Sequence, residues 1–249
     1  NKRTGDEVMN AIASFNRAAE HDSGFALAYA GLAEGYTLAG NAGYGNLRRD
    51  EALDHARAFA RQAIALDDSL AEAHAALGYV RFRIDWDWGA AEAALKRAVE
   101  LKPGYARAHE WYALFLAVQR RFDESMSEMR RAQQLDPLSA SVSTGLGRVL
   151  HFQRKTDEAL AQFQRTIKSD PGYAEAHFGL AMTLQLRRRN DDAIASLQTA
   201  IRLSGNRGVM VAMLGMLQGL GGRQEEARKI YADLLGPAGQ GGGGGGGGG

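Results

Sequence analysis

The chain has 249 residues, 45% hydrophobic and 24% charged, with a formal net charge of +1 and no cysteine. Near-neutrality gives no global attraction to nucleic acid or to an anionic membrane, and the missing cysteines exclude disulfides, thiolate metal sites and thiol nucleophiles. No apolar run reaches the ~18 residues of a membrane-spanning helix. The opening Asn1-Lys2-Arg3-Thr4-Gly5 has neither an apolar leader core nor an initiator Met, so the chain is expected to begin inside a longer protein. Its expected compartment is the cytoplasm, with the periplasm compatible as well.

Residues 6–21 set Val8, Ile12, Phe15 and Ala19 on one helical face. Further on, Pro103, Pro137 and Pro171 stand 34 residues apart, a period that belongs to helical repeat arrays. The unit is clearest in 140–171, where Leu146, Gly147 and Leu150 mark one short helix and Ala159, Phe163 and Thr166 the next. In phase with it, 1–25 is a partial repeat holding only a second helix, and six units follow: 26–70, 71–105, 106–139, 140–173, 174–207 and 208–235. The first of these contains an irregular insertion at 40–46 and spans 45 residues instead of 34. The second is one residue over length, and the excess is expected at Asp85-Trp86-Asp87-Trp88. Residues 236–249, mostly glycine, form a flexible tail or a placeholder run outside the fold.

Helices of ~13 residues are marginal alone in water, so each must bury its apolar stripe against its partner and the next pair. Small residues recur where paired helices approach: Ala33, Gly78, Ala113, Gly147, Ala181 and Gly215. Glycine inside a helix costs about 1 kcal/mol against alanine, so its use there implies a packing need. The prolines follow second helices, where a missing N–H and fixed φ end a helix cheaply.

These residues resemble the tetratricopeptide repeat, W-x2-L-G-x2-Y, then A-x3-F-x2-A, then P. Residues 174–207 fit as His177, Leu180, Ala181, Leu184, Ala193, Leu197 and Ala200; residues 140–173 as Ser143, Leu146, Gly147, Leu150, Ala159, Phe163, Thr166 and Pro171. Residues 106–139 fit as His109, Tyr112, Ala113, Leu116, Ser125, Met129, Ala132 and Pro137. The opening Trp is absent, and Gly205 replaces the closing proline of 174–207. The resemblance, spanning about residues 6–235, implies an all-α fold, a right-handed α-α superhelix of antiparallel helix pairs. The insertion, with the phrases Ala26-Leu27-Ala28-Tyr29-Ala30-Gly31-Leu32-Ala33 and Asp85-Trp86-Asp87-Trp88-Gly89-Ala90-Ala91-Glu92 on either side, resembles a bacterial subgroup. In that subgroup the array follows a winged-helix DNA-binding, protein kinase or cyclase-like domain.

In such repeats, first-helix positions two, five, nine, twelve and thirteen line the inner groove. Carried over, they give Tyr79, Phe82, Arg83, Arg107, Glu110 and Leu114, then Arg148, His151, Phe152, Phe178, Met182 and Gln185. Aromatic and arginine anchors among smaller contacts suit a protein or peptide partner. Relatives that clamp a terminal carboxylate carry Lys at position five and Asn at nine. Here those positions hold Ala30, Ala75, Glu110, Thr144, Phe178 and Ala212, then Glu34, Tyr79, Leu114, Arg148, Met182 and Met216, which argues against that clamp.

Residues 209–220 are apolar almost all round, so the inner face of this helix, Met216 and Leu220, which extends the expected groove, is expected to be covered by a partner, a following segment or a second copy. The alternative is burial under the second helix. Arg120-Arg121, Arg154-Lys155, Arg187-Arg188-Arg189 and Arg223 would align along one edge as a nucleic-acid ridge. Each cluster is followed by acids, Asp123-Glu124, Asp157-Glu158, Asp191-Asp192 and Glu225-Glu226, which match the helix dipoles and neutralise the row. His74, His109 and His177 share one repeat position; no metal spacing, nucleophile elbow or phosphate loop occurs. No enzyme, cofactor, nucleic-acid or membrane role is expected. The chain reads as a scaffold for a partner segment; alternatively, Arg148, His151 and Gln185 make it a small-ligand sensor governing an attached DNA-binding or kinase domain.

Overall fold

The computed structural model describes residues 5–42, 48–204 and 208–235, and the rest of the insertion, Gly205 and the glycine tail lie outside them. Among the described residues there are thirteen α-helices and no strand. An edge helix α1 (Gly5–His21) precedes six antiparallel pairs. These are α2 (Ala26–Ala42) with α3 (Arg49–Leu66), α4 (Ala71–Val80) with α5 (Trp88–Leu101), and α6 (Ala106–Val118) with α7 (Phe122–Leu135). Then come α8 (Ala140–Phe152) with α9 (Thr156–Ser169), α10 (Ala174–Leu186) with α11 (Asn190–Ser204), and α12 (Gly208–Leu220) with α13 (Gln224–Leu235).

The two members of a pair differ in sequence because they differ in surroundings. In α9, Ala159, Phe163 and Thr166 are buried at helical spacing, while Asp157, Glu158, Gln164 and Arg165 face water. Its acids open the first turn and Lys168 closes the last, as the helix dipole favours. First helices are instead enclosed by their partner and by the first helices before and after them: α4 meets α2 and α6, and α8 meets α6 and α10. In α6 every residue from Arg107 to Ala117 is accordingly buried. The core is a run of small clusters shared between neighbouring pairs, one joining Ala76 and Leu95 to Trp111 and Leu116, another Ala181 and Leu197 to Met210 and Leu217.

The five hairpins from α4/α5 to α12/α13 are each closed by a residue with left-handed backbone, and the α2/α3 corner lies outside the described residues. Trp86, Arg120, Arg154, Arg188 and Gly222 have φ of 55°, 61°, 61°, 58° and 80°, and successive ones stand 34 residues apart. The next residue's N–H then reaches back to the first helix: Arg121 to Leu116 O at 2.9 Å, Lys155 to Leu150 O at 3.0 Å, Arg189 to Leu184 O at 3.1 Å. That bond satisfies a helix-end carbonyl and turns the chain back on itself. The over-length pair spends its extra residue inside the first helix: Arg81–Asp85 is a π-helical turn between α4 and the Trp86 corner. The excess therefore sits just upstream of the loop where sequence places it.

Glycine at the helix crossings is a matter of contact. A Cβ on Gly78 would lie 2.7 Å from Cγ of Leu95, and one on Gly147 2.6 Å from Cε1 of Phe163. Phe163 of α9 is fully buried, wedged between Gly147 of α8 and Gly179 of α10, where an added Cβ comes closer still. One ring thus sets the spacing between two successive pairs.

Gly179→Ala is therefore expected to destabilise the array by about 1–3 kcal/mol despite alanine's better helix propensity. Adding Phe163→Leu recovers part of that loss in a double-mutant cycle followed by urea denaturation. Arg120→Gly, Arg154→Gly and Arg188→Gly each relieve a left-handed arginine and are expected to stabilise by about 0.5–1 kcal/mol in the same assay.

Candidate functional site

Stacking brings the first helices side by side as an inner wall. A cavity of about 810 Å³ runs along it, reached by α1, α2, α4, α6, α8, α10 and α12. Tyr79 of α4, Arg83 of the π-turn, and Arg107, Glu110 and Leu114 of α6 line it. So do Arg148, His151 and Phe152 of α8 and Phe178 and Met182 of α10. Ser141 and Val209, each at position two of its first helix, join them, as do Trp111 and the interhelical Leu138, which the groove positions do not mark.

Four of the expected groove residues lie elsewhere. Phe82 is 4% exposed and packs edge-on against Tyr79 and Phe115 at ring separations of 5.1 and 5.9 Å. The reason is register: counted back from its left-handed corner, Phe82 matches the buried Leu116, Leu150 and Leu184, whereas Arg83 matches His151. The π-turn shifts these positions by one residue relative to a count from the start of the pair. Gln185 is partly exposed near the end of α10, outside the cavity lining. Met216 and Leu220 lie beyond the cavity on α12, 39% and 64% exposed; on the same helix Met210 and Leu217 are buried.

The cavity wall carries a buried ion-pair network. The Arg107 guanidinium, 8% exposed, donates from Nη1 to Glu110 Oε2 at 3.1 Å and to Ser141 Oγ at 3.0 Å. Ser141 passes a hydrogen bond on to Glu110 Oε1 at 2.6 Å. Nε of Arg107 lies 3.4 Å from Glu34 Oε1, an ion-pair distance without hydrogen-bond alignment. Glu34 also accepts from Tyr105 Oη at 2.9 Å. Trp111 lies 5.7 Å beneath the guanidinium. Carboxylates of α2 and α6 and a hydroxyl of α8 thereby fix one cation, something only the folded array brings together.

Arg83 and Arg148 differ from Arg107: no carboxylate among the described residues pairs with either. Arg83 rests against Tyr79 and Phe82, 6.0 and 5.9 Å from their ring centres, and its Nε is buried without a hydrogen bond. Burial holds the His151 imidazole below its ordinary pKa, helped by Arg154 and Arg148. The Thr183 hydroxyl donates to Gly179 O at 2.8 Å and so accepts from His151 Nδ1–H at 3.0 Å, leaving Nε2 as an acceptor.

Many of the remaining candidates bond within the array. Nε2 of His74, His109 and His177 donates to the carbonyl six residues earlier, on Asp68, Pro103 and Pro171, at 2.9, 3.0 and 3.1 Å. Each ties its helix to the preceding turn. Among the described residues no group of three His, Asp or Glu gathers in metal-holding geometry. In the basic edge row, Arg121 donates to Glu92 at 2.6 Å and to Glu124, holding both carboxyls below their usual range. Arg187 pairs with Asp157, Arg189 with Asp192, and Arg223 with Asp191. No helix of the described residues is long and apolar enough to cross a membrane.

Residues 87–140 and 144–208 match the family model of the tetratricopeptide repeat, so this part of the chain is built of tetratricopeptide repeats. Solved structures agree on the fold. PilF of Pseudomonas aeruginosa is 23% identical with a TM-score of 0.56, the match covering 84% of this chain and 90% of PilF. PilW, described as a widely conserved type IV pilus biogenesis factor, is 20% identical at 0.58, with 75% and 86% covered. The human IFIT1 dimer with PPP-AAAA is 16% identical at 0.64, with 74% of this chain and 45% of that one covered. No curated protein matches the chain.

Because Glu110 is the aligned partner of a buried guanidinium, Glu110→Ala is expected to cost about 3 kcal/mol in chemical denaturation. Arg107→Met in the same chain restores most of it, since no buried charge is then left alone.

Proposed function

We propose that this protein is a non-catalytic interaction scaffold that holds a segment of a partner protein along its inner groove. The carrying observation is that side chains of successive repeats, from Tyr79 through Leu114 and Arg148 to Met182, feed a single elongated cavity. Aromatic rings and guanidiniums spaced along such a channel are the anchors that dominate protein interfaces, and a channel open across several helices accepts an extended or helical segment. Engagement of Arg121, Arg187, Arg189 and Arg223 with acids along the outer edge supports leaving nucleic acid aside. Exposed Val209, Met216 and Leu220 offer a second contact, with a further copy or a following segment. The insertion and the Asp85–Trp88 phrase support a place within a larger bacterial regulator.

A second reading has one observation in its favour. The cavity volume of about 810 Å³ falls within the roughly 300–1,000 Å³ of small-molecule sites, which suits a ligand-sensing module controlling an attached domain.

Phage-displayed random peptides selected on the intact chain, beside a thermal-shift screen with metabolites, separate the two. The scaffold reading expects peptides whose binding falls at least about tenfold with Met182→Glu, while helical circular dichroism is kept. Stabilisation by a metabolite with no peptide selected would replace it by the sensor reading.

A further inference from the structure

Granted that the groove holds a partner segment, we infer that this segment is acidic and apolar: carboxylates flanked by large apolar side chains, docking on Arg83 and Arg148. Arginines without a carboxylate partner on the outer edge, such as Arg120, Arg154 and Arg188, are exposed to water, whereas Arg83 and Arg148 are partly buried in the cavity lining. On the outer edge Arg57, Arg121, Arg187 and Arg223 each meet a carboxylate, and inside the groove Arg107 is met by Glu110 and Glu34. Arg83 and Arg148 line the same cavity with no carboxylate partner among the described residues. A partly buried guanidinium short of acceptors is costly, and Arg83 is in addition held in place by two aromatic rings with its Nε unsatisfied. A cation fixed beforehand and lacking a counter-charge is an anion site, since charge-assisted hydrogen bonds to a carboxylate are strong and little side-chain freedom is lost in making them.

The rest of the wall decides which anion. Both cations sit toward the C-terminal ends of their inner helices, whereas Asp136 and Asp170 line the cavity at the interhelical-turn side. A nucleic-acid strand, charged at every residue, would bring phosphates against those acids. A peptide with spaced carboxylates need present them only to Arg83 and Arg148. Its apolar side chains have matching surfaces: Phe152, 37% exposed, inside, and Leu138, 95% exposed, at the rim. Leu138 occupies the turn position that Gly104 and Gly172 fill in the units before and after.

The test uses random 15-residue peptides displayed on phage and selected on the intact chain, with the recovered peptides and a 12-nucleotide single-stranded RNA then measured by fluorescence polarisation. The expected pool is enriched in Asp and Glu beside Leu, Phe or Trp. Asn and Gln versions of those peptides bind about tenfold more weakly. Arg148→Gln and Arg83→Gln each cause a similar loss and flatten the salt dependence. Arg148→Gln alone suffices if Arg83→Gln disturbs the π-turn. Groove-bound peptides indifferent to their acids, or rich in Lys and Arg, overturn the acidic partner and leave the scaffold standing. If no peptide binds, both fall; RNA binding tighter than the peptides also overturns the inference.

Discussion

A left-handed residue every 34 positions holds this molecule's geometry in place. It lets the chain reverse while the following N–H satisfies a carbonyl five residues back, as Arg121 does for Leu116. Because this reversal recurs at five successive hairpins, their first helices land on one side and their second helices on the other. The inner wall follows from that repetition and needs no contact between distant parts of the chain. What the wall requires in addition is close approach, which Gly78, Gly147 and Gly179 permit and Phe163 gauges.

The division of labour between helices carries through to function. Outer helices are amphipathic and spend their charges on neighbours along the edge, as in Arg187 with Asp157. Inner helices are enclosed on several sides, so each polar group they retain must find a partner in the array or await one from outside. Arg107, with Glu110, Ser141 and Glu34, is the first kind. His151 is tied to the array at Nδ1, through Thr183, and its burial favours the neutral ring. Arg83 and Arg148 are the exceptions among the groove's cations.

Much of the architecture was legible in the sequence because a period of 34 and a recurring small residue are local signals. The same period placed Tyr79, Leu114 and Met182 on one cavity. Other features left no such trace. Arginine gives no hint of left-handed backbone, so Arg120, Arg154 and Arg188 looked like part of a charge row. The Glu34–Arg107 contact joins α2 to α6 over 73 positions of sequence, and no spacing rule reaches that far. Phe82 was misplaced because counting forward from Ala71 ignores a residue absorbed before the helix ends.

That absorbed residue shows how the array tolerates changes in length. In a continuous helix an extra residue rotates everything after it by about 100°, which would turn the groove face of each later repeat away. Here the Arg81–Asp85 turn takes up the excess before Trp86, and the next corner, Arg120, again falls 34 residues on. Each of the five hairpins from Trp86 to Gly222 sets its own phase at its corner, so the ladder is self-indexing and a misplaced rung stays a local defect.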